Sequence, residues 1–240
     1  MTALLFRDDP YRQECETVVT GINERGGILT EHTIFYATAG GQPGDKGMIA
    51  WNGGRLQIAT TVYDESKMPV HVPAEGQSLP AAGEQVTLAI DWAHRYRIMR
   101  CHTMMHLLCA AVPFPVTGSS ITEDGGRIDF DIPEGQIPDR EALAAKINSW
   151  ISEGHPVSTK WISEEELDAN PQLVRTLFVK PPRGSGQIRL VLIGEDGKVD
   201  LQPCGGTHVK NTSEIGEIAV DKIQNKGKIN RRIRLVLVKP

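Results

Sequence analysis

The sequence has no hydrophobic run that approaches the ~18 residues needed to cross a membrane as a helix. Residues 1–9 hold neither the basic segment nor the long apolar core of an export signal. These two absences predict a cytoplasmic protein with no membrane partner.

The sequence also lacks a disulfide framework. Its cysteines are Cys15, Cys101, Cys109 and Cys204, and no two of them form a CxxC pair. Such isolated cysteines are typical of a protein in a reducing compartment. There is no internal repeat and no low-complexity segment.

An excess of positive charge is absent too, because the formal net charge is −4. This excludes electrostatic wrapping of nucleic acid by the whole chain, although a local patch is still compatible with it. Near the end of the sequence, basic residues occur without any acidic residue between them. They are Lys222, Lys226, Lys228, Arg231, Arg232, Arg234 and Lys239. This basic patch is typical of a phosphate-facing surface, but an edge strand protected by charge gives the same pattern.

The first part of the chain is predicted to be all-β. Short runs rich in β-branched residues are separated by clusters of Gly, Asn, Pro and Asp, and no helical period of useful length occurs. The runs are Thr17–Thr20, Gly27–Thr30, Thr33–Tyr36, Arg55–Ile58 and Val86–Ile90. We expect a β-barrel-like domain over residues 1–90.

The character of the sequence changes at Asp91, a suitable helix N-cap. Apolar residues then recur at steps of three and four until Pro113, which predicts one long helix. Arg127–Ile132 alternates as a half-buried strand does. The last third of the sequence returns to strands. Residues 91–240 should therefore form an α+β domain, and the whole chain is predicted to be α+β.

Two shorter helices are predicted within this second domain. Asp139 is placed to cap one whose apolar stripe includes Leu143, Ile147 and Ile151. Ser163 begins a capping-box pattern for the other.

Two distant motifs carry metal-ligand side chains. His102 and His106 lie four residues apart, so a helix places both imidazoles on one face, roughly 6 Å apart. Cys204 and His208 flank two glycines, which relax the backbone and let both side chains point to one side. One thiolate and three imidazoles form a donor set that zinc prefers. The sequence predicts one Zn²⁺ per chain, provided that the fold brings the two motifs together.

The role of this zinc stays open between structure and catalysis. Four protein ligands close a tetrahedron, whereas a catalytic site keeps a coordination position open. One enzyme class is excluded, because Thr103 follows His102 and the glutamate base of an HExxH peptidase is missing.

A glycine-rich segment lies within the first domain, over Gly40–Asp45. Turn formation alone explains its glycines and Pro43. Gln42 is different, since a turn tip does not require a long amide with donors and an acceptor. It is a candidate for ligand contact.

In this order and spacing, His102–His106, Cys204–His208 and Gly40–Asp45 resemble the editing domain of alanyl-tRNA synthetase and its freestanding trans-editing relatives. The resemblance extends over most of the chain. It implies a β-barrel-like domain joined to an α+β editing domain with a long ligand-bearing helix. It also implies a bound zinc ion and an aminoacyl-tRNA deacylase that removes serine, and some glycine, from the acceptor end of tRNA(Ala).

The resemblance also suggests roles for individual residues. The matching metal ligands are His102, His106, Cys204 and His208. Thr33 and Gln42 match polar residues of the amino-acid pocket and are the candidate catalytic residues. The candidate substrate-binding residues are Gly40, Gly41, Asp45, Lys226, Lys228, Arg231 and Arg232. This chain departs from the family at residues 37–39, where it has Ala-Thr-Ala and the family commonly has a proline and an acidic residue or glycine.

Three other interpretations stay open. A structural-zinc module would bind RNA without hydrolysing it. A Ser-tRNA(Thr) deacylase would use related ligand motifs, which also resemble the editing domain of threonyl-tRNA synthetase, although Gly40–Asp45 favours the alanine branch. A hydrolase of small esters has only the metal ligands in its favour.

Overall fold

The structure is a computed structural model that describes residues 2–177 and 186–238. The chain divides into two compact units, residues 1–98 and residues 99–240. The sequence-based boundary after residue 90 precedes the long helix, whereas the division between the two units falls after Ile98, within that helix. Among the described residues, none of the helices is both long enough and apolar enough to cross a membrane.

The first unit is built around a closed barrel of six antiparallel strands in the order β2-β3-β7-β6-β5-β8. A short parallel pair, β1 and β4, and a 3₁₀ turn at Leu5–Arg7 complete it. Its strands are β1 (Ala3–Leu4), β2 (Glu14–Ile22), β3 (Ile28–Thr30), β4 (His32–Thr33), β5 (Gly47–Trp51), β6 (Gly54–Tyr63), β7 (Pro69–Pro73) and β8 (Gln85–Ile90). The predicted β-barrel-like fold of this part of the chain is confirmed.

The barrel core follows from alternation along its strands. In β8 every second residue is buried, which places Val86, Leu88 and Ile90 on one face. These side chains belong to a cluster with inward-facing residues of the other strands, among them Val19, Ile28, Ile49, Leu56 and Ile58. Closure leaves the barrel without an exposed edge that would pair with another chain.

The predicted strand Thr33–Tyr36 is wrong beyond Thr33. Residues 34–37 belong to no strand, because side chains satisfy their backbone groups. The Phe35 N–H donates to Thr33 Oγ1 at 3.0 Å, and the Tyr36 N–H donates to the Asp45 carboxylate. Arg95 Nη2 donates to the carbonyl of Ile34 at 2.6 Å. With these groups already paired, the segment has no need of a neighbouring strand.

The second unit contains two antiparallel sheets. One has the strand order β14-β15-β10-β9 and the other the order β11-β12-β13. Its strands are β9 (Val116–Thr122), β10 (Gly125–Asp131), β11 (Val157–Ser163), β12 (Gln187–Ile193), β13 (Asp200–Pro203), β14 (Ile218–Asn225) and β15 (Asn230–Leu237). The predicted α+β class is confirmed.

The described residues also form three α-helices and, after residue 99, three 3₁₀ turns. The helices are α1 (Trp92–Ala111), α2 (Arg140–Glu153) and α3 (Glu164–Ala169), and the 3₁₀ turns are Pro171–Leu173, Glu195–Gly197 and Thr212–Ile215. Asp139 caps α2 by accepting from the Ala142 N–H, and Ser163 with Glu166 forms the capping box of α3. Both cap predictions are confirmed.

Helix α1 is more deeply buried than its sequence pattern predicts. The pattern indicates one apolar face with the two histidines at its rim. In the structure residues 101–109 are all buried, so this part of the helix is covered on every side. His102 and His106 are only 8% and 5% exposed. Buried imidazoles need partners, and those partners define the site.

Candidate metal centre

The four predicted metal ligands lie together in the second unit. The ligand atoms of His102, His106, Cys204 and His208 are all within 4.8 Å of one another. Cys204 Sγ lies 3.5 Å from His102 Nε2 and 3.4 Å from His208 Nε2. We call these four residues the ligand cluster. Its geometry and donor types are compatible with one bound metal ion.

The loop that follows β13 is held so that Cys204 faces α1. Arg189 Nη1 donates to the carbonyls of Cys204 and Gly206, at 2.9 and 3.0 Å. The Gly206 N–H donates to Cys204 Sγ at 3.4 Å. A buried guanidinium and a backbone amide therefore fix the direction of the thiol.

Thr103 connects α1 with the other end of this loop. Its hydroxyl donates to the Met99 carbonyl at 2.9 Å, and its oxygen lies 3.3 Å from the Val209 N–H and 3.2 Å from His208 Nδ1. Because the single hydroxyl proton is used on Met99, Nδ1 of His208 must donate to Thr103. Nε2 of His208 then carries a lone pair, and this nitrogen is the one that faces Cys204.

His106 has a charged partner. Its Nδ1 lies 2.8 Å from Asp200 Oδ2, and Gln202 Nε2 donates to the same oxygen at 2.7 Å. Asp200 and Gln202 are 2% and 8% exposed and alternate along β13. A carboxylate only accepts hydrogen bonds, so Nδ1 donates, and in the neutral ring, the form that binds a metal, the lone pair is on Nε2 of His106.

The charges of the cluster favour a thiolate among imidazoles. Burial opposes the charged form of Cys204, but the neighbouring imidazoles of His102 and His208 lower the pKa of this thiol well below its ordinary value. Burial and the charge of His102 also lower the pKa of His208. For His106, burial acts to lower the pKa, but the hydrogen bonds to Asp200 and Cys204 outweigh it and raise the pKa to about 10.

The candidate catalytic residues Thr33 and Gln42 belong to the first unit, and both are 0% exposed. Thr33 Oγ1 lies 2.8 Å from Nε2 of His71, a fully buried residue whose Nδ1 lies 2.9 Å from the Ile28 carbonyl. Burial lowers the pKa of His71 to about 4, against an opposing hydrogen bond to Ile28. The ring is therefore neutral at pH 7, with its proton on Nδ1 facing the carbonyl, and Thr33 donates to Nε2.

The candidate substrate-binding residues of Gly40–Asp45 differ in their surroundings. Gly40 and Gly41 are exposed at the tip of a turn closed by Ala39 and Gln42, and both have positive φ angles, +57° and +86°. Asp45 is 1% exposed and forms a buried ion pair with Arg95, whose Nε lies 3.0 Å from both carboxylate oxygens. Its carboxylate is therefore used in an ion pair inside the first unit.

Two arginines of the basic patch also use their guanidinium groups in hydrogen bonds within the protein. Arg231 is 5% exposed, and its guanidinium donates to the carbonyls of Gly227, Lys228 and Asn230 at 2.9, 3.3 and 3.0 Å. Arg232 forms two hydrogen bonds with Asp129, at 2.7 and 2.8 Å.

This bidentate pair lowers the pKa of Asp129. Lys226 and Lys228 are exposed in the turn between β14 and β15. Of the four candidate contact residues in the patch, these two lysines have side chains open to a partner.

Sequence reasoning missed His71, the partner of Thr33, and the residues that support the ligands, namely Thr103, Arg189, Asp200 and Gln202. One signal was available for the last two. Asp200, Gln202 and Cys204 alternate along the chain, so a strand that brings Cys204 to a buried site brings the other two to the same face. No comparable pattern marks Arg189 or His71, whose partners are distant in sequence.

Two parts of the chain match known family models. Residues 188–234 match the family model described as the threonyl and alanyl tRNA synthetase second additional domain. Residues 7–94 match the family model for class II (A) tRNA synthetases.

Several relatives are similar over nearly the full length. The alanyl-tRNA editing protein AlaX-M of Methanosarcina acetivorans is 33% identical over 99% of this chain and 100% of its own. The AlaX-M protein of Pyrococcus horikoshii is 32% identical, over 99% of this chain and 98% of its own. The alanine–tRNA ligase of Pyrobaculum arsenaticum is 33% identical over 93% of this chain, which corresponds to 25% of the ligase. The chain therefore belongs to the alanyl-tRNA editing protein family.

Proposed function

We propose that this chain is an aminoacyl-tRNA deacylase that hydrolyses the ester of Ser-tRNA(Ala), and of Gly-tRNA(Ala), with one zinc ion in the ligand cluster. The observation that carries the proposal is the convergence of His102, His106, Cys204 and His208, in a chain similar end to end to proteins named alanyl-tRNA editing proteins. The acceptor end of tRNA(Ala) is the proposed partner.

The distances from Cys204 to two of the three imidazoles support zinc. A tetrahedral ion with Zn–S of about 2.3 Å and Zn–N of about 2.0 Å separates the sulfur from each nitrogen by roughly 3.5 Å. The distances from Cys204 Sγ to His102 and His208 are 3.5 and 3.4 Å. Zinc bound here with an open or fifth position would supply Lewis-acid polarisation of the ester carbonyl.

The open side of the ligand cluster is at Cys204. The three histidines are buried, whereas Cys204 is half-buried and Gly205 is exposed. Among the described residues, no atom beyond the two neighbours of Gly205 in the chain lies within 4 Å of the position that a Cβ on it would occupy. This exposed backbone is where we expect an ester group to approach the cluster. The Gly206 N–H is already directed at Cys204 Sγ, which makes Gly205 the better candidate for holding a developing oxyanion.

Selection of serine over alanine requires a group that forms a hydrogen bond with the seryl hydroxyl, because alanine is smaller and enters any pocket that admits serine. Thr33 is suited to accept that hydrogen bond. Its proton is used on His71 and its oxygen accepts one hydrogen bond from Phe35, so one lone pair is left for a seryl hydroxyl. Since Thr33 is 0% exposed, such a contact requires neighbouring groups to move aside.

The activity is tested with matched esters. We expect the full chain to hydrolyse Ser-tRNA(Ala) faster than Ala-tRNA(Ala) and Ser-tRNA(Thr), measured as loss of radiolabelled amino acid. Removing metal with a chelator should slow the reaction by about two orders of magnitude, the scale of losing one electrostatic stabiliser, while circular dichroism shows a retained fold.

Other outcomes point to the alternatives. Faster loss from Ser-tRNA(Thr) would favour the threonine branch, and hydrolysis of none of the three esters would contradict the proposal. Unfolding on chelation, without any hydrolysis beforehand, would indicate a structural-zinc module that only binds RNA.

Thr33→Val should reduce the ratio of Ser-tRNA(Ala) to Ala-tRNA(Ala) hydrolysis by ~10-fold or more, because the acceptor for the seryl hydroxyl is lost. It should also destabilise the fold, since His71 and Phe35 each lose a buried hydrogen bond, at about 1–3 kcal/mol per group. Rates are therefore compared well below the melting temperature.

Thr33→Ser is the matched control, because it keeps the hydroxyl and should preserve the ratio. An unchanged ratio in Thr33→Val, with both rates lowered equally, would remove Thr33 from substrate recognition.

Replacing both Lys226 and Lys228 by alanine should weaken tRNA binding and make the slope of log affinity against log salt concentration shallower by about 2. Filter binding at several salt concentrations measures this slope. Lys198→Ala, an exposed lysine of the same unit, is the control and should leave it unchanged. Equal effects of the two changes would argue against the turn between β14 and β15 as a phosphate contact.

A further inference from the structure

We infer that Asp200 is a positioning residue of the metal centre, whose carboxylate holds the His106 imidazole in the tautomer and orientation that direct Nε2 at a metal ion. The inference rests on the metal-binding part of the proposed function. It adds a buried acidic residue that acts through a ligand and contacts neither the metal nor the substrate.

The geometry leaves His106 one protonation pattern. Asp200 Oδ2 lies 2.8 Å from Nδ1, and its side chain is 0% exposed. Gln202 Nε2 also lies near Nδ1, at 3.1 Å, but it donates to Asp200 Oδ2 at 2.7 Å. The amide thereby holds the carboxylate in place. With a carboxylate opposite Nδ1, the proton of the neutral ring stays on Nδ1 and Nε2 is the only nitrogen free to bind a metal.

His106 and His208 differ in the kind of support they receive. Nδ1 of His208 faces the neutral hydroxyl of Thr103 at 3.2 Å, whereas Nδ1 of His106 faces a carboxylate. An anionic acceptor raises the basicity of the imidazole as a ligand and fixes the plane of its ring more strongly. Asp200 thus makes His106 the more firmly held of these two ligands.

The two oxygens of Asp200 differ in their partners. Oδ2 contacts His106 and Gln202, whereas Oδ1 has no hydrogen-bond partner among the described residues. Arg175 Nη2 lies 3.9 Å from Oδ1, and Nη1 of the same arginine donates to the Cys109 carbonyl at 2.9 Å. A buried carboxylate oxygen without a close donor is unfavourable. A dication bound to the far side of His106 supplies positive charge, so metal binding and Asp200 should stabilise each other.

Two effects of Asp200→Asn follow. Asparagine keeps the shape of the side chain but removes the charge, and its amide can donate to Nδ1 and shift the His106 proton to Nε2. Zinc affinity should therefore fall by about 10–100-fold, the usual effect of losing such a partner. In the metal-free protein Asp200 is paired with His106 at 2.8 Å, so the variant should unfold at the same or a lower urea concentration than the wild-type protein.

The experiment measures both quantities on the full chain. Zinc affinity is obtained by competition with a chromophoric chelator, and metal-free stability by urea unfolding. Asp196→Asn is the matched control, because it removes the same charge from an exposed position four residues away. Zinc affinity within about twofold of wild type is expected for this control, as for a surface change that touches no ligand.

Each outcome is decisive. If the wild-type chain binds zinc and Asp200→Asn binds it equally well, the inference is overturned and the proposed function stands. If the wild-type chain binds no zinc, both the metal in the proposed function and the role of Asp200 are overturned. If Asp200→Asn fails to fold, long-range ¹H–¹⁵N NMR of the wild-type zinc protein decides. A proton on Nδ1 of His106 supports the inference, and a proton on Nε2 overturns it.

Discussion

Three imidazoles and a thiol are held within 4.8 Å of one another in a largely buried part of the second unit, and the account of this protein depends on that convergence. Bringing such groups together without a cation is unfavourable, because nitrogen and sulfur lone pairs face one another out of water. A metal ion turns the same arrangement into four bonds. The cluster also joins residues about a hundred positions apart in sequence, so only the folded chain presents the complete site.

The surroundings of the cluster direct each ligand by ordinary hydrogen bonding. Arg189 holds the carbonyls beside Cys204, Thr103 faces one imidazole and Asp200 faces another. In other parts of the chain, residues that the sequence motifs suggested as substrate contacts instead pair with buried groups of the protein. Asp45 is paired with Arg95, and Arg231 supports a turn through three backbone carbonyls. Asp45 and Arg231 therefore stabilise the local structure around them.

Much of this could be predicted from sequence, and the exceptions share a physical cause. Local patterns sufficed for the long helix, for the caps of the two shorter helices and for the spacing of the ligand pairs, because each depends on neighbours a few residues apart. The segment after Thr33 was mistaken for a strand since its backbone groups are satisfied by the distant side chains of Asp45 and Arg95. The roles of Asp200 and Arg189 were not predicted for a similar reason, because their partners are distant in sequence and reach them only in the folded chain.

The central claim is that the four ligands bind one zinc ion, and the most direct measurement is X-ray absorption spectroscopy at the zinc edge of the purified full chain. The account predicts about one zinc per chain, with one sulfur at about 2.3 Å and three nitrogens at about 2.0 Å, the sulfur being lost in Cys204→Ser. A chain purified without metal that takes up no zinc, or a bound zinc surrounded only by oxygen and nitrogen, would contradict it.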